Sequence, residues 1–269
     1  MKKSIIYSGI CAVALTSLIA TAQTASAESV KSDGKANFEV PTTIQDPVKP
    51  GTDEEIVIDG EKTQVKGVQL LHAPTFDFGT NELKAKGDDL EVIHESYAHK
   101  GDEETKYAVP LFVQVGDFSG QRQTNWNVSV SQDAMFKEAA GHTLANSRIR
   151  IFNQSFTNNL NNSNASNMVA GVAIPENGHA VIPVASETPD SLNVFSSKKL
   201  DTNEGTTNGS ISSVVFKKDY DESQYGSGAA SAPALDTRYD DVQLNVPASD
   251  KAQAKAYSTK LTWSLTVEP

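Results

Sequence analysis

From Gly67 onward, apolar residues recur at every second position in short runs. Leu111, Val113 and Val115 alternate with Phe112 and Gln114, Trp126, Val128 and Val130 with Asn127, Ser129 and Ser131, and Ile149 and Ile151 with Arg148 and Arg150. The alternation returns at Val242, Leu244 and Val246, and again at Leu261, Trp263, Leu265 and Val267. Successive side chains of a strand point to opposite faces, so each run predicts a strand with one hidden and one wet face. Together they predict an all-β fold, an antiparallel β-sandwich or flattened barrel with long loops and at most one or two short helices. The single helical segment predicted is 133–140, with Asp133 as cap, Ala139 and Ala140 as helix formers and Gly141 as stop. The polar stretches 157–167, 201–210 and 225–234 read as exposed loops.

The pattern changes ahead of Gly67. Residues 1–27 have the layout of a secretory signal: Lys2 and Lys3, an apolar run over 5–20, and Ala25-Ser26-Ala27 as the small-residue site, with cleavage expected between Ala27 and Glu28. The apolar run is short for a membrane span. Export is therefore expected, to the cell surface or wall, with no transmembrane anchor in the mature form and no LPxTG-like sorting signal. Residues 28–66 hold Pro41, Pro47, Pro50, Gly51 and the run Asp53-Glu54-Glu55, with few large apolar residues. Such a composition predicts an extended, mostly disordered acidic linker, about 35 Å long on average as a coil, with at most a short edge strand at 55–58.

Charge and chemistry narrow the function. The chain has 23 Lys and Arg against 34 Asp and Glu, a net charge of −11, which becomes −13 once Lys2 and Lys3 leave with the signal. A nucleic-acid partner is not expected, because a phosphate backbone calls for clustered cations. Arg148 and Arg150 are the first place to look for a basic patch. The single cysteine, Cys11, lies in the signal, so the mature body has no disulfide and no thiol chemistry. Five histidines are scattered. His94 and His99, among Glu91, Glu95, Asp102, Glu103 and Glu104, suggest either a surface metal site or, more simply, solvated loop charge. Gly116-Asp117-Phe118-Ser119-Gly120 places its serine one position late for a nucleophile elbow and reads as a turn. No phosphate-binding loop is present, and the adjacent acids Asp88-Asp89 and Asp240-Asp241 would point to opposite faces of a strand. Neither a catalytic set nor a cofactor or metal site is expected.

What stands out is the pair of tryptophans, the only two in the chain, each in a similar strand: Trp126-Asn127-Val128 and Trp263-Ser264-Leu265. With the closing Leu-Thr-Trp-Ser-Leu-Thr-Val-Glu-Pro, the chain resembles the WxL-domain surface proteins of low-GC Gram-positive bacteria. Further matches are Phe76-Asp77-Phe78-Gly79-Thr80, Leu111-Phe112-Val113-Gln114-Val115-Gly116-Asp117 and Leu244-Asn245-Val246-Pro247. The first motif has Val128 where the family's name has Leu, which keeps an apolar β-former there. The resemblance covers 67–269 and implies a domain that attaches non-covalently to the cell wall through peptidoglycan. It also implies surface complexes with membrane-anchored WxL-interacting proteins and other surface partners, with the two motifs as wall or partner contacts. Each Trp has a second reading, as a core residue, and the two roles can coexist. Trp263 shares its face with Leu261, Leu265 and Val267 and is expected inside, whereas Asn125 and Asn127 give Trp126 the more polar setting. Two alternatives stand beside wall attachment: an adhesin or scaffold subunit whose ligand is another protein, met by loops 157–167 and 225–234, and an exported carbohydrate-active enzyme.

Overall fold

The structure, a computed structural model, describes residues 33–199 and 206–268. The signal with its Ala27–Glu28 site, Cys11 and residues 201–205 of one expected loop lie outside the described residues. The chain divides into Met1–Phe38 and Glu39–Pro269; in the former, residues 33–38 have no regular structure.

Within Glu39–Pro269 the fold is all-β, as the alternation predicts, with every strand pair antiparallel. A five-stranded sheet runs Ser155–Asn158, Ser210–Val215, Phe112–Asp117, Val68–His72, Thr63–Val65. One four-stranded sheet runs Val169–Gly171, Leu192–Ser197, Trp126–Gln132, Leu261–Val267. A second runs Ala180–Val181, Arg148–Ile151, Arg238–Pro247, Gly87–Ile93. These three sheets share one apolar core, to which they send, among others, Val113, Val214, Val128, Phe195, Ile151 and Val242.

The five-stranded sheet departs from the expected one-sided burial. Every residue of Phe112–Asp117, Val68–His72 and Ser210–Val215 is buried, the polar ones included. Val113 and Val115 face the main core, while Phe112 and Val215 join Ile56, Tyr97 and Val109 in a second one. This second face is covered by the stretch expected to be a disordered linker. Gln114 accepts from the Val48 N–H at 2.8 Å and donates to the Val48 carbonyl at 2.9 Å. Gln69 accepts from the Gln45 N–H and donates to the Thr43 carbonyl, both at 2.9 Å. Two side-chain amides thus do for residues 43–48 what a neighbouring strand's backbone would do. Ile56–Ile58 then pairs with Glu95–His99, and Thr63–Val65 with Val68–His72. Apolar content is low before Gly67, but Val48 and Ile56 are both buried, and the hydrogen bonds come from glutamines elsewhere in the chain. The spacer reading of 39–66 is corrected accordingly.

The helix expected at 133–140 is a β-hairpin. Phe136–Lys137 pairs with Thr143–Leu144, and Phe136 is buried. The Glu138 carboxylate closes the turn by accepting from the Ala140 and His142 N–H groups at 2.7 and 2.9 Å, which holds that carboxyl below its ordinary pKa. A core anchor and a side-chain clamp outweigh the helix preference of two alanines. Among the described residues the single α-helical turn is Ala165–Met168, which begins inside a stretch expected to be loop and buries Ala165 and Met168. In the loop at 225–234, Tyr225 is likewise buried.

Candidate functional site

The two tryptophan motifs, far apart in sequence, lie on neighbouring strands. Leu261–Val267 pairs with Trp126–Gln132 over seven consecutive positions without a bulge. Leu265 stands opposite Val128, Trp263 opposite Val130, and Val267 opposite Trp126. The pairing relates the motifs by a local two-fold centred on Val128 and Leu265, and all six side chains share the core face. Asn127 and Ser264 lie on the other face, Asn127 half-buried and Ser264 exposed. Val128 is fully buried and Leu265 nearly so.

The two indoles have different surroundings. Trp126 is 2% exposed and meets Phe195 edge-on, ring centroids 5.0 Å apart. Its Nε1–H donates to Thr207 Oγ1 at 3.2 Å, and that hydroxyl donates to Asp117 Oδ2 at 2.8 Å. Asp117 is buried, and its other oxygen accepts from Ser119 Oγ at 2.7 Å. The turn at 116–120 therefore braces the first tryptophan. Trp263 is only partly buried and stacks on Phe76, with centroids 6.4 Å apart and planes 14° from parallel. The sequence ranking is reversed: the tryptophan flanked by asparagines is the core residue, and the one in the apolar stripe lies at an opening.

That opening is a cleft of about 1650 Å³. One side is an irregular strap over residues 73–84, ending before Gly87–Ile93. Phe78 anchors the strap in the core, the Ile93 N–H donates to the Asp77 carbonyl at 2.8 Å, and Arg238 donates to Asn81 Oδ1 at 2.8 Å. Gly79 has a φ of +62°, and a Cβ there would meet Arg238 Nη2 at 2.5 Å, so the Phe-Gly motif needs its glycine. The other side is the stretch 251–261, with Leu244, Val246 and Trp263 completing the lining. Of the five motif blocks, three (Phe76 to Thr80, Leu244 to Pro247, and that of Trp263) meet at this cleft, and a fourth, Leu111 to Asp117, braces the Trp126 of the fifth. Three lysines within ten residues, Lys251, Lys255 and Lys260, with no acid among them, also line it. Those lysines and Phe76 were not legible as cleft residues, because only the non-local strand order assembles them; the lysine run was the available signal.

Other singled-out residues do not join the cleft. Arg148 pairs with Glu187, and Arg150 with Asp89 at 3.4 Å, so both are neutralised and form no basic patch. The Val184 N–H, and after it Arg148, hold the Glu187 carboxyl below its ordinary pKa. His94 is buried with Nδ1 2.7 Å from the Thr237 carbonyl, and His99 pairs with Glu54. Among the described residues no three His, Cys, Asp or Glu side chains are placed to hold a metal, and no helix is long and apolar enough to cross a membrane. Neither curated proteins nor solved structures give a match to the chain. The family model for the WxL domain, described as surface cell wall-binding, matches residues 25–269. With nearly the whole length matched and the family's motif blocks converging on one sheet pair and one cleft, the chain belongs to the WxL family of cell wall-binding surface domains.

Proposed function

We propose that this protein is exported, loses its signal after Ala27, and attaches non-covalently to peptidoglycan without catalysing any reaction. In this reading it serves as one component of a surface complex that includes a membrane-anchored partner. The observation that carries it is the cleft, where Phe76 and Trp263 offer stacked rings beside polar side chains. Aromatic faces next to hydrogen-bonding groups suit sugar rings and amide-bearing ligands, which present apolar faces and polar edges. Of the motif residues, Trp263 is the ligand contact in this proposal; Trp126, Val128 and Leu265 act by building the sheet that presents it. The test is depletion of the 28–269 chain from solution by purified sacculi, compared with candidate partner ectodomains. Binding to sacculi that a hot detergent wash reverses is the expected result. Binding to the ectodomains alone would favour the scaffold reading, and release only by muramidase would mean a covalent bond.

A further inference from the structure

The charges around the cleft are unevenly distributed. The stretch 251–260 carries Lys251, Lys255 and Lys260, all exposed, and among the described residues none of them forms an ion pair. This is a concentration of positive charge in a chain whose net charge is −11. The strap side is different: Lys84 is paired with Asp88 at 2.8 Å, while Glu61 and Glu82 are exposed and unpaired among the described residues. One side of the lining therefore offers ammonium groups and the other carboxylates that have no ion-pair partner among the described residues, and the rings of Phe76 and Trp263 belong to the same lining.

We infer that the cleft recognises the peptide stems of peptidoglycan, short peptides bearing free carboxylates and an ammonium group, with Lys251, Lys255 and Lys260 as the carboxylate contacts. This rests on the peptidoglycan reading above and names the part of the polymer that is read. The glycan backbone of N-acetylated sugars is neutral and gives three unpaired lysines nothing to pair with. A phosphate-rich wall polymer is a pure polyanion; it would suit the lysines but would be repelled by Glu61, Glu82 and the charge of the whole protein. A zwitterionic peptide satisfies both sides. Volume agrees, since about 1650 Å³ exceeds the roughly 300–1,000 Å³ that holds a drug-sized ligand and has room for a stem with its sugar. Lysine suits this task because its ammonium is a mobile point charge that can follow carboxylates on a flexible peptide.

The test uses the 28–269 chain and three preparations: sacculi freed of phosphate polymers, the soluble glycan strands left when an amidase has removed their stems, with binding read in solution, and sacculi that retain the polymers. Wild type should bind the first and lose at least tenfold on the second. A chain with K251Q, K255Q and K260Q should lose at least tenfold on the first, and one with K251R, K255R and K260R should keep most of its binding. Bound sacculi should also shield these three lysines from acetylation, read peptide by peptide in the wild-type chain, so that the result does not depend on a variant folding. Equal binding with and without stems, undiminished binding by the glutamine variant, loss in the arginine variant as well, or unshielded lysines would each overturn the stem assignment while leaving the peptidoglycan reading intact. Binding only to sacculi that retain phosphate polymers would overturn both.

Discussion

The tryptophans that give the motif its character do different physical work. Trp126 is closed in on every side and its one polar atom is satisfied through Thr207 and Asp117. Trp126→Ala should therefore cost about 3–5 kcal/mol, through lost transfer energy and the cavity left behind. Trp263 hides only part of its ring, so Trp263→Ala should cost on the order of 2 kcal/mol yet lose the larger share of binding per unit of stability lost. Urea midpoints and sacculus binding on the same two variants check the ranking; a Trp263 variant that is the less stable of the two would return that residue to the core. Thr207→Val tests the brace itself. It leaves the indole N–H and a buried carboxylate oxygen without their partner, so a loss of about 1–3 kcal/mol is expected, with the near-ultraviolet signal of Trp126 altered. Apolar alternation could not have ranked the tryptophans, because Asn125 and Asn127 belong to the other face of their strand and say nothing about what covers the ring.

Strands were legible in the sequence and their partners were not. Period two locates Trp126–Gln132, Arg148–Ile151, the part of Arg238–Pro247 from Val242 to Val246, and Leu261–Val267, because each keeps polar residues on its outer face. It fails for Phe112–Asp117, where Gln114 mimics a solvent-facing residue although it is fully buried and bonded to Val48. It fails again at 133–140, where burial of Phe136 decides between helix and hairpin. The side-by-side pairing of the two motif strands is the strongest non-local claim at this scale, and a crosslink tests it. Ser129 and Ser264 are register partners, at the separation a disulfide spans between antiparallel strands, roughly 4.5–5.5 Å between Cα atoms. Since the 28–269 chain has no cysteine of its own, S129C with S264C should oxidise to a chain without free thiol. S131C with S264C, offset by one diagonal step of about 7–8 Å, should stay reduced. The reverse outcome would shift the register by two positions, setting Trp263 opposite Gln132 instead of Val130 and breaking the local two-fold of the motifs.

At the scale of the molecule, the domain begins well before the point where its alternating pattern begins. The motif blocks that reveal the family all lie after Gly67 and include Phe76, Leu244 and Trp263, but nothing in them shows that the three line one cleft. The ordering of residues 39–66 leaves no such trace, because it depends on amides at Gln69 and Gln114 and on a sheet face that only the folded topology exposes. A chain starting at Gly67 would lack the strands Ile56–Ile58 and Thr63–Val65 and uncover Phe112, Val215 and Leu71. It would also lose the four hydrogen bonds that Gln69 and Gln114 make to residues 43–48, each worth about 0.5–1.5 kcal/mol net. Added to the lost burial of Val48 and Ile56, about 1.5–3 kcal/mol each, this approaches the whole 5–15 kcal/mol of a typical domain. The 67–269 chain is therefore expected to lack a cooperative melting transition and to bind dyes specific for exposed apolar surface. The 39–269 chain should melt within a few degrees of the 28–269 chain and bind sacculi equally well. A sharp transition at the full-length temperature for 67–269 would restore the spacer reading, and with it the view that wall attachment needs only the part of the chain that carries the motifs.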